Sequence, residues 1–131
     1  MKRSIVGLLL LVVVAGVMPA FAKRHHDIKV AINKEVAAKG GLKIRFVDMI
    51  EDSRCPSDAQ CIWAGNAKIK VQISRVGEKA ETFELNTGAE PQSVVVAGYE
   101  IKLIGLTPEP ASNIRIRKDG YVATFTVIKN R

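Results

Sequence analysis

Ala67-Lys68-Ile69-Lys70-Val71-Gln72-Ile73-Ser74 decides the fold. Four apolar side chains alternate with four polar ones, so one face of the segment is apolar and the other is wet. This period of two belongs to a half-buried antiparallel strand; a helix would repeat its apolar stripe every three or four residues. The same alternation recurs on both sides. Toward the N-terminus, Leu42, Ile44 and Phe46 alternate with Lys43 and Arg45, and before them Ile28, Val30 and Ile32 alternate with Lys29 and Ala31. Toward the C-terminus, Phe83 and Leu85 sit between Glu81, Thr82 and Glu84. Strands are read at residues 93–96 and 99–106, on either side of Gly98. Tyr121, Ala123, Phe125 and Val127 close the series.

Turn chemistry falls between these runs. Gly40-Gly41, Gly77, Asn86-Thr87-Gly88 with Pro91, Gly98 and Asp119-Gly120 supply the reversal points. Seven strands joined by short turns over roughly 100 residues predict an all-β domain, an antiparallel, immunoglobulin-like β-sandwich or a small barrel. Residues 36–39 read as a single helical turn. Residues 107–118, with Pro108 and Pro110, form the longest irregular connection and carry a short edge strand at Ile114 and Ile116. No internal repeat or linker divides the chain.

The 131 residues are 47% hydrophobic and 25% charged, with a formal net charge of +7. Part of that belongs to an export segment. Lys2 and Arg3 open the chain, residues 5–22 carry no charge, and Ala20-Phe21-Ala22 matches the small-x-small pattern of a signal-peptidase site. Residues 1–22 therefore read as a cleaved bacterial signal peptide, and residues 23–131 as one exported domain. The alternative is an uncleaved membrane anchor, which Gly16 and Pro19 disfavour. No Cys follows the small residues, so no lipid anchor is expected. Two of the twenty basic residues and none of the thirteen acids lie in the segment, so the domain carries +5.

A periplasmic or extracellular address agrees with the two cysteines, Cys55 and Cys61. In an oxidising compartment a close, even pair is read as one disulfide, whose seven-residue ring contributes about 2.4 kcal/mol in the loop-entropy picture. A C-x5-C spacing fits neither the metal nor the redox C-x2-C motif.

Both cysteines lie in Glu51-Asp52-Ser53-Arg54-Cys55-Pro56-Ser57-Asp58-Ala59-Gln60-Cys61-Ile62-Trp63-Ala64-Gly65-Asn66, together with the sole Trp. One reading is architectural. Trp63 plugs the end of the sandwich, Gly65 supplies positive φ or close backbone approach, Asn66 ties the turn, and Asp52 caps backbone N–H groups or pairs with Arg54. The other is functional: a rigid loop around Pro56 offered to a partner.

This stretch resembles the signature of a family of small exported bacterial β-domain proteins, D-S-R-C-P followed by C-[VI]-W-A-G-[NED]. The similarity extends to residues 41–47, to Leu85-Asn86-Thr87, and to residues 101–110 with their Leu-x-Pro-x-Pro ending. It spans roughly residues 28–127. The resemblance implies a secreted β-domain and transfers no catalytic residue.

Sharper functions find little footing. The histidines, His25 and His26, lie before the first strand, where a catalytic imidazole is poorly held. Glu51 and Asp52 are adjacent and face opposite sides of a strand. No phosphate loop, Zn triad or Ca²⁺ loop is present, and neither a catalytic residue nor a cofactor is expected. If the cut follows Ala22, the new amine, two amides and His25 form a square-planar nitrogen set suited to Cu(II) or Ni(II). Arg54 beside the bridge suggests a second class, a protease inhibitor presenting the braced loop of residues 54–61 to a trypsin-like pocket. Basic residues interleaved with Glu78, Glu81, Glu84 and Glu90 speak against nucleic acid, leaving Arg115, Arg117 and Lys118 as a compact cluster. The expectation is a non-catalytic, monomeric, exported binding or envelope-associated module, without a stable membrane span after cleavage, whose partner is an unnamed protein or envelope component.

Overall fold

The computed structural model describes residues 15–17 and 26–130. The remainder of the export segment and the His25 metal site lie outside them. Among the described residues no helix is long and apolar enough to cross a membrane.

Eight strands follow in order: β1 (Asp27–Ala31), β2 (Glu35–Ala37), β3 (Leu42–Asp52), β4 (Ala67–Arg75), β5 (Glu81–Asn86), β6 (Ser93–Val96), β7 (Tyr99–Thr107) and β8 (Val122–Lys129). They form two four-stranded antiparallel sheets, ordered β1-β8-β7-β6 and β2-β3-β4-β5. The layers are those of the expected sandwich. The connectivity is simpler than the immunoglobulin order, because every neighbour is also a chain neighbour once the circle closes at β1–β8. An immunoglobulin fold shuffles its strands through Greek-key crossings; here the chain meanders, as in an up-and-down barrel flattened along two seams. Backbone bonds stitch the seams: Asn33 N–H to Phe46 O at 2.7 Å, and Asn86 N–H to Pro91 O at 2.9 Å.

The eighth strand is β2. The helical turn read at residues 36–39 is instead a short strand followed by a single 3-10 turn at Lys39–Gly41. Val36 pairs with Ile44 and packs against the core, and tertiary pairing overrides the weak helical preference of the alanines. The edge strand expected at Ile114 and Ile116 reduces to one isolated bridge between Ala111 and Ile114.

Inward positions of both sheets fill one core, with Ile44, Phe46, Ile69, Val71 and Ile73 meeting Val30, Ile101, Leu103 and Phe125. Burying such side chains contributes about 1.5–3 kcal/mol each relative to exposure. The outward faces carry the lysines, so the alternation that defines the strands also orders the layers. Antiparallel meandering sends the connections alternately to two poles. Loops 32–34, 53–66, 87–92 and 108–121 gather at one, which we call the loop pole. The turns at Gly40, Gly77 and Gly98 lie at the other, together with residues 26 and 130 of the paired strands β1 and β8.

Replacing Phe125 by Ala is expected to cost about 3–5 kcal/mol in chemical denaturation, because neither sheet can collapse into the void. Val76→Ser, at an exposed turn of the far pole, should stay within about 0.5 kcal/mol of wild type.

Candidate functional site

The loop of residues 53–66 is fixed from both ends. At its start the Asp52 carboxylate, on the last residue of β3, receives Arg54 Nε at 2.8 Å and Nη2 at 2.9 Å. Two further guanidinium hydrogens go to backbone: Nη1 to Leu106 O at 2.8 Å and Nη2 to Pro108 O at 3.0 Å. Tyr121, just ahead of β8, donates its hydroxyl to Asp52 at 3.0 Å. Both sequence readings of Asp52 hold at once, since it also accepts the backbone N–H of Arg54 at 3.3 Å. The Arg54 guanidinium holds the Asp52 carboxyl below the ordinary carboxylate range, against the opposing effect of burial. Burial, reinforced by the hydrogen bond to Asp52, pushes the Tyr121 phenol up.

At the other end, Asn66 accepts Gly88 N–H at 2.9 Å and donates to Asn86 Oδ1 at 2.9 Å. Asn86 is the one buried polar residue among the described core, and it passes its own amide hydrogen on to Pro91 O. Thr87 completes the clasp by exchanging two bonds of 2.9 Å with the backbone of Ala67. Gly65 has a φ of 75°, and a Cβ there would land on the carbonyl oxygen of Ser53, so both reasons offered for glycine apply.

Between these ends, Cys55 and Cys61 form the expected disulfide. Cys55 N–H donates to Ala64 O at 3.0 Å, and half-buried Pro56 opens a turn closed by Ala59 N–H. Ser57 N–H reaches Pro110 O at 2.8 Å, while Asp58 accepts both the N–H and the hydroxyl of Ser112 at 2.9 Å. Those two bonds hold the Asp58 carboxyl low and moor the disulfide ring to the β7–β8 connection.

Two expectations are corrected. Trp63 does not plug the sandwich: it is 75% exposed, and Ile62 beside it is 93% exposed. The side chains buried at this end of the sandwich are Leu106 and Tyr121 instead. Arg54 is not presented outward either. Its side chain is only 12% exposed, and entering a protease pocket would mean breaking the bonds to Asp52, Leu106 and Pro108.

Beneath the loop lies an open cleft of about 350 Å³, bounded by Cys55, Ala64 and Gly65 on one side, Thr87 and Gly88 on another, and residues 103–106, Glu109 and Pro110 of β7 and its extension. Among the described residues no three His, Cys, Asp or Glu side chains converge as metal ligands would. Sequence reasoning passed over Tyr121, Ser112 and the carbonyls of Leu106 and Pro108. The available signal was the set of outlying fragments, Leu85-Asn86-Thr87 and the Leu-x-Pro-x-Pro ending, which the fold brings directly against Asn66 and Arg54. Fold and loop pole together define a small, disulfide-braced, all-β sandwich with a preformed surface cleft. Comparisons with protein-family models, curated proteins and solved structures return no match.

Asp52→Asn leaves the Arg54 charge without its partner and is expected to cost about 2–4 kcal/mol at neutral pH. The folded-state pKa of Asp52 lies below its ordinary value of 3.8, so the ion pair contributes fully well above that value and is lost as pH falls through and beneath it. The gap between the denaturation midpoints of wild type and variant should therefore narrow as pH falls beneath 3.8. A gap that stays constant through acid titration would refute the assignment.

Proposed function

We propose that this protein is an exported, non-catalytic binding module that meets its partner at the loop pole, with Ile62 and Trp63 as the leading contact. The observation that carries this reading is the contrast within one loop. Nearly every polar group of residues 52–66 with a partner in the fold is spent on holding the loop still, while the two large apolar side chains are turned to solvent. A tryptophan exposed on a braced loop stabilises nothing in the monomer, and on binding it desolvates a large surface with few rotors to freeze.

The export segment read at residues 1–22 and the disulfide both support an oxidising compartment outside the cytoplasm. The resemblance of residues 52–66 to the signature of small exported bacterial β-domain proteins points the same way. Asp52, Arg54 and Tyr121 neutralise and satisfy one another, which favours a structural role for these groups over proton transfer.

A photo-crosslinking residue placed at position 63, in the protein's own host cells, is expected to give one discrete adduct, with none from the same residue at position 76 of the far pole. Equal, diffuse labelling from both positions would sink the proposal. Trp63→Ala should remove competition for the adduct while leaving the unfolding free energy within about 0.5 kcal/mol of wild type.

A further inference from the structure

Strands β1, β2, β5 and β6 lie at the edges of the two sheets. Charge, proline or a bulge keeps an edge from pairing with another chain. β1 carries Asp27 and Lys29, β2 carries Glu35, and β5 carries Glu81 and Glu84. β6 is Ser93-Val94-Val95-Val96, without charge or proline, and its pairing with β7 runs without a register shift. Its only protection is its length of four residues.

The ladder shows which backbone groups of β6 are free. Val96 and Tyr99 pair across the two-residue turn at Ala97-Gly98, and Gln92 O accepts Leu103 N–H at 2.9 Å. Bonded and non-bonded pairs alternate along an antiparallel ladder, so Gln92, Val94 and Val96 turn their backbone groups to β7. Ser93 and Val95 turn theirs away, toward β5, and those groups have no partner among the described residues. The side chains divide in the same way. Val94 and Val96 pack against the core, while Val95 is 58% exposed on the outer face. There Val95 stands opposite Glu100 of β7, and Ser93 stands opposite Lys102. Neither Glu100 nor Lys102 is in an ion pair among the described residues.

A second copy of β6 answers this edge in one register. Laid antiparallel about a two-fold axis at Val94, Ser93 of each copy faces the partner's Val95, and both pairs exchange N–H···O bonds in each direction. An axis at Ser93 or at Val95 would leave only one bonded pair within the strand. The charges select the same register. With the axis at Val94, a row across the joined sheets runs from Lys102 through Ser93 and the partner's Val95 to the partner's Glu100, with opposite charges at its ends. An axis at Ser93 would put Lys102 at both ends of a row, and one at Val95 would put Glu100 at both. On the inner face the two Val94 side chains meet, and on the outer face Val95 lies diagonal to the partner's Val95. We infer that two copies of this protein join edge to edge through β6, merging two four-stranded sheets into one of eight strands. The two-fold contact consumes both free edges, so assembly stops at the dimer. The monomer expected from the sequence is then one half of a pair, and the loop pole takes no part in it.

The protein, produced from the full chain, is followed by sedimentation equilibrium from about 10 μM to about 1 mM, because association follows mass action. A reversible monomer–dimer equilibrium is expected, and hydrogen exchange at the Ser93 and Val95 amides should slow as the dimer fills. The Thr82 and Glu84 amides, which turn outward from the charged edge of β5, should stay fast. Val95→Lys puts a charge on an exposed side chain and should weaken the dimer at least about tenfold, with the denaturation midpoint of the dilute protein unmoved. Val95→Thr, still β-branched and uncharged, should dimerise as wild type does. A monomer throughout the range, growth past the dimer, or a dimer indifferent to Val95→Lys overturns the inference. Protection of Thr82 and Glu84 in place of Ser93 and Val95 does so as well. If Ser93 and Val95 are protected only after an extract of the host cells is added, the edge belongs to another protein's strand and the second copy is wrong.

Discussion

One guanidinium holds the loop pole together. Strand β6 pairs with β7 only as far as Lys102, with Gln92 O reaching one residue further to the N–H of Leu103. Beyond that point the edge of β7 has lost its strand partner. Arg54 takes the partner's place, donating to the carbonyls of Leu106 and Pro108 from a side chain whose charge is balanced by Asp52. An unpaired edge is a template for unwanted strand addition; here a side chain from the opposite sheet caps it. The same contact ties β3 to β7 across the two layers, and Tyr121 extends the tie to β8. The start of the braced loop takes its position from it.

The strands were legible because their cause is local. Ala67, Ile69, Val71 and Ile73 alternate with polar residues, and alternation needs no knowledge of the rest of the chain to imply a half-buried strand. β2 was missed because Val36 is a lone apolar residue among alanines, and its strand character comes from the Val36–Ile44 pairing, a tertiary fact. The meander was beyond reach for the same reason: alternation assigns faces, not neighbours. At the loop pole, the Cys55–Cys61 bridge and the Asp52–Arg54 pair were legible from proximity in sequence. The bonds from Arg54 to Leu106 and from Asn66 to Gly88 join segments more than twenty residues apart, and nothing in the local pattern announces them. Trp63 shows the converse error. Large apolar residues are usually buried, yet Trp63 stands exposed while Leu106 and Tyr121 are the side chains buried at this pole.

The disulfide and the hydrogen bonds divide the work of fixing the loop. The bridge closes a small ring and limits what the chain from Cys55 to Cys61 can do internally, but it makes no connection to the sandwich. Attachment comes from Ser57 and Asp58 on one side of the ring and from Asn66 and Gly88 on the other. Reduction would therefore loosen the ring while leaving its moorings in place, whereas loss of the Asp52–Arg54 pair would act on the start of the loop, where Arg54 reaches Leu106 and Pro108, and would break none of the bonds that moor the ring.

Residues 26 and 130 both lie toward the pole away from the loops, 26 opposite residue 127 of β8 and 130 bonded to Gly98. A nine-residue strand spans about 30 Å, so the sandwich acts as a spacer of that length between its attachment end and Trp63. Any tether joined at either end of the domain, whether a purification handle, a fused protein or a surface to which the chain is fixed, points the tryptophan outward. The molecule can thus be immobilised or displayed in a single orientation without altering the surface that is to be probed.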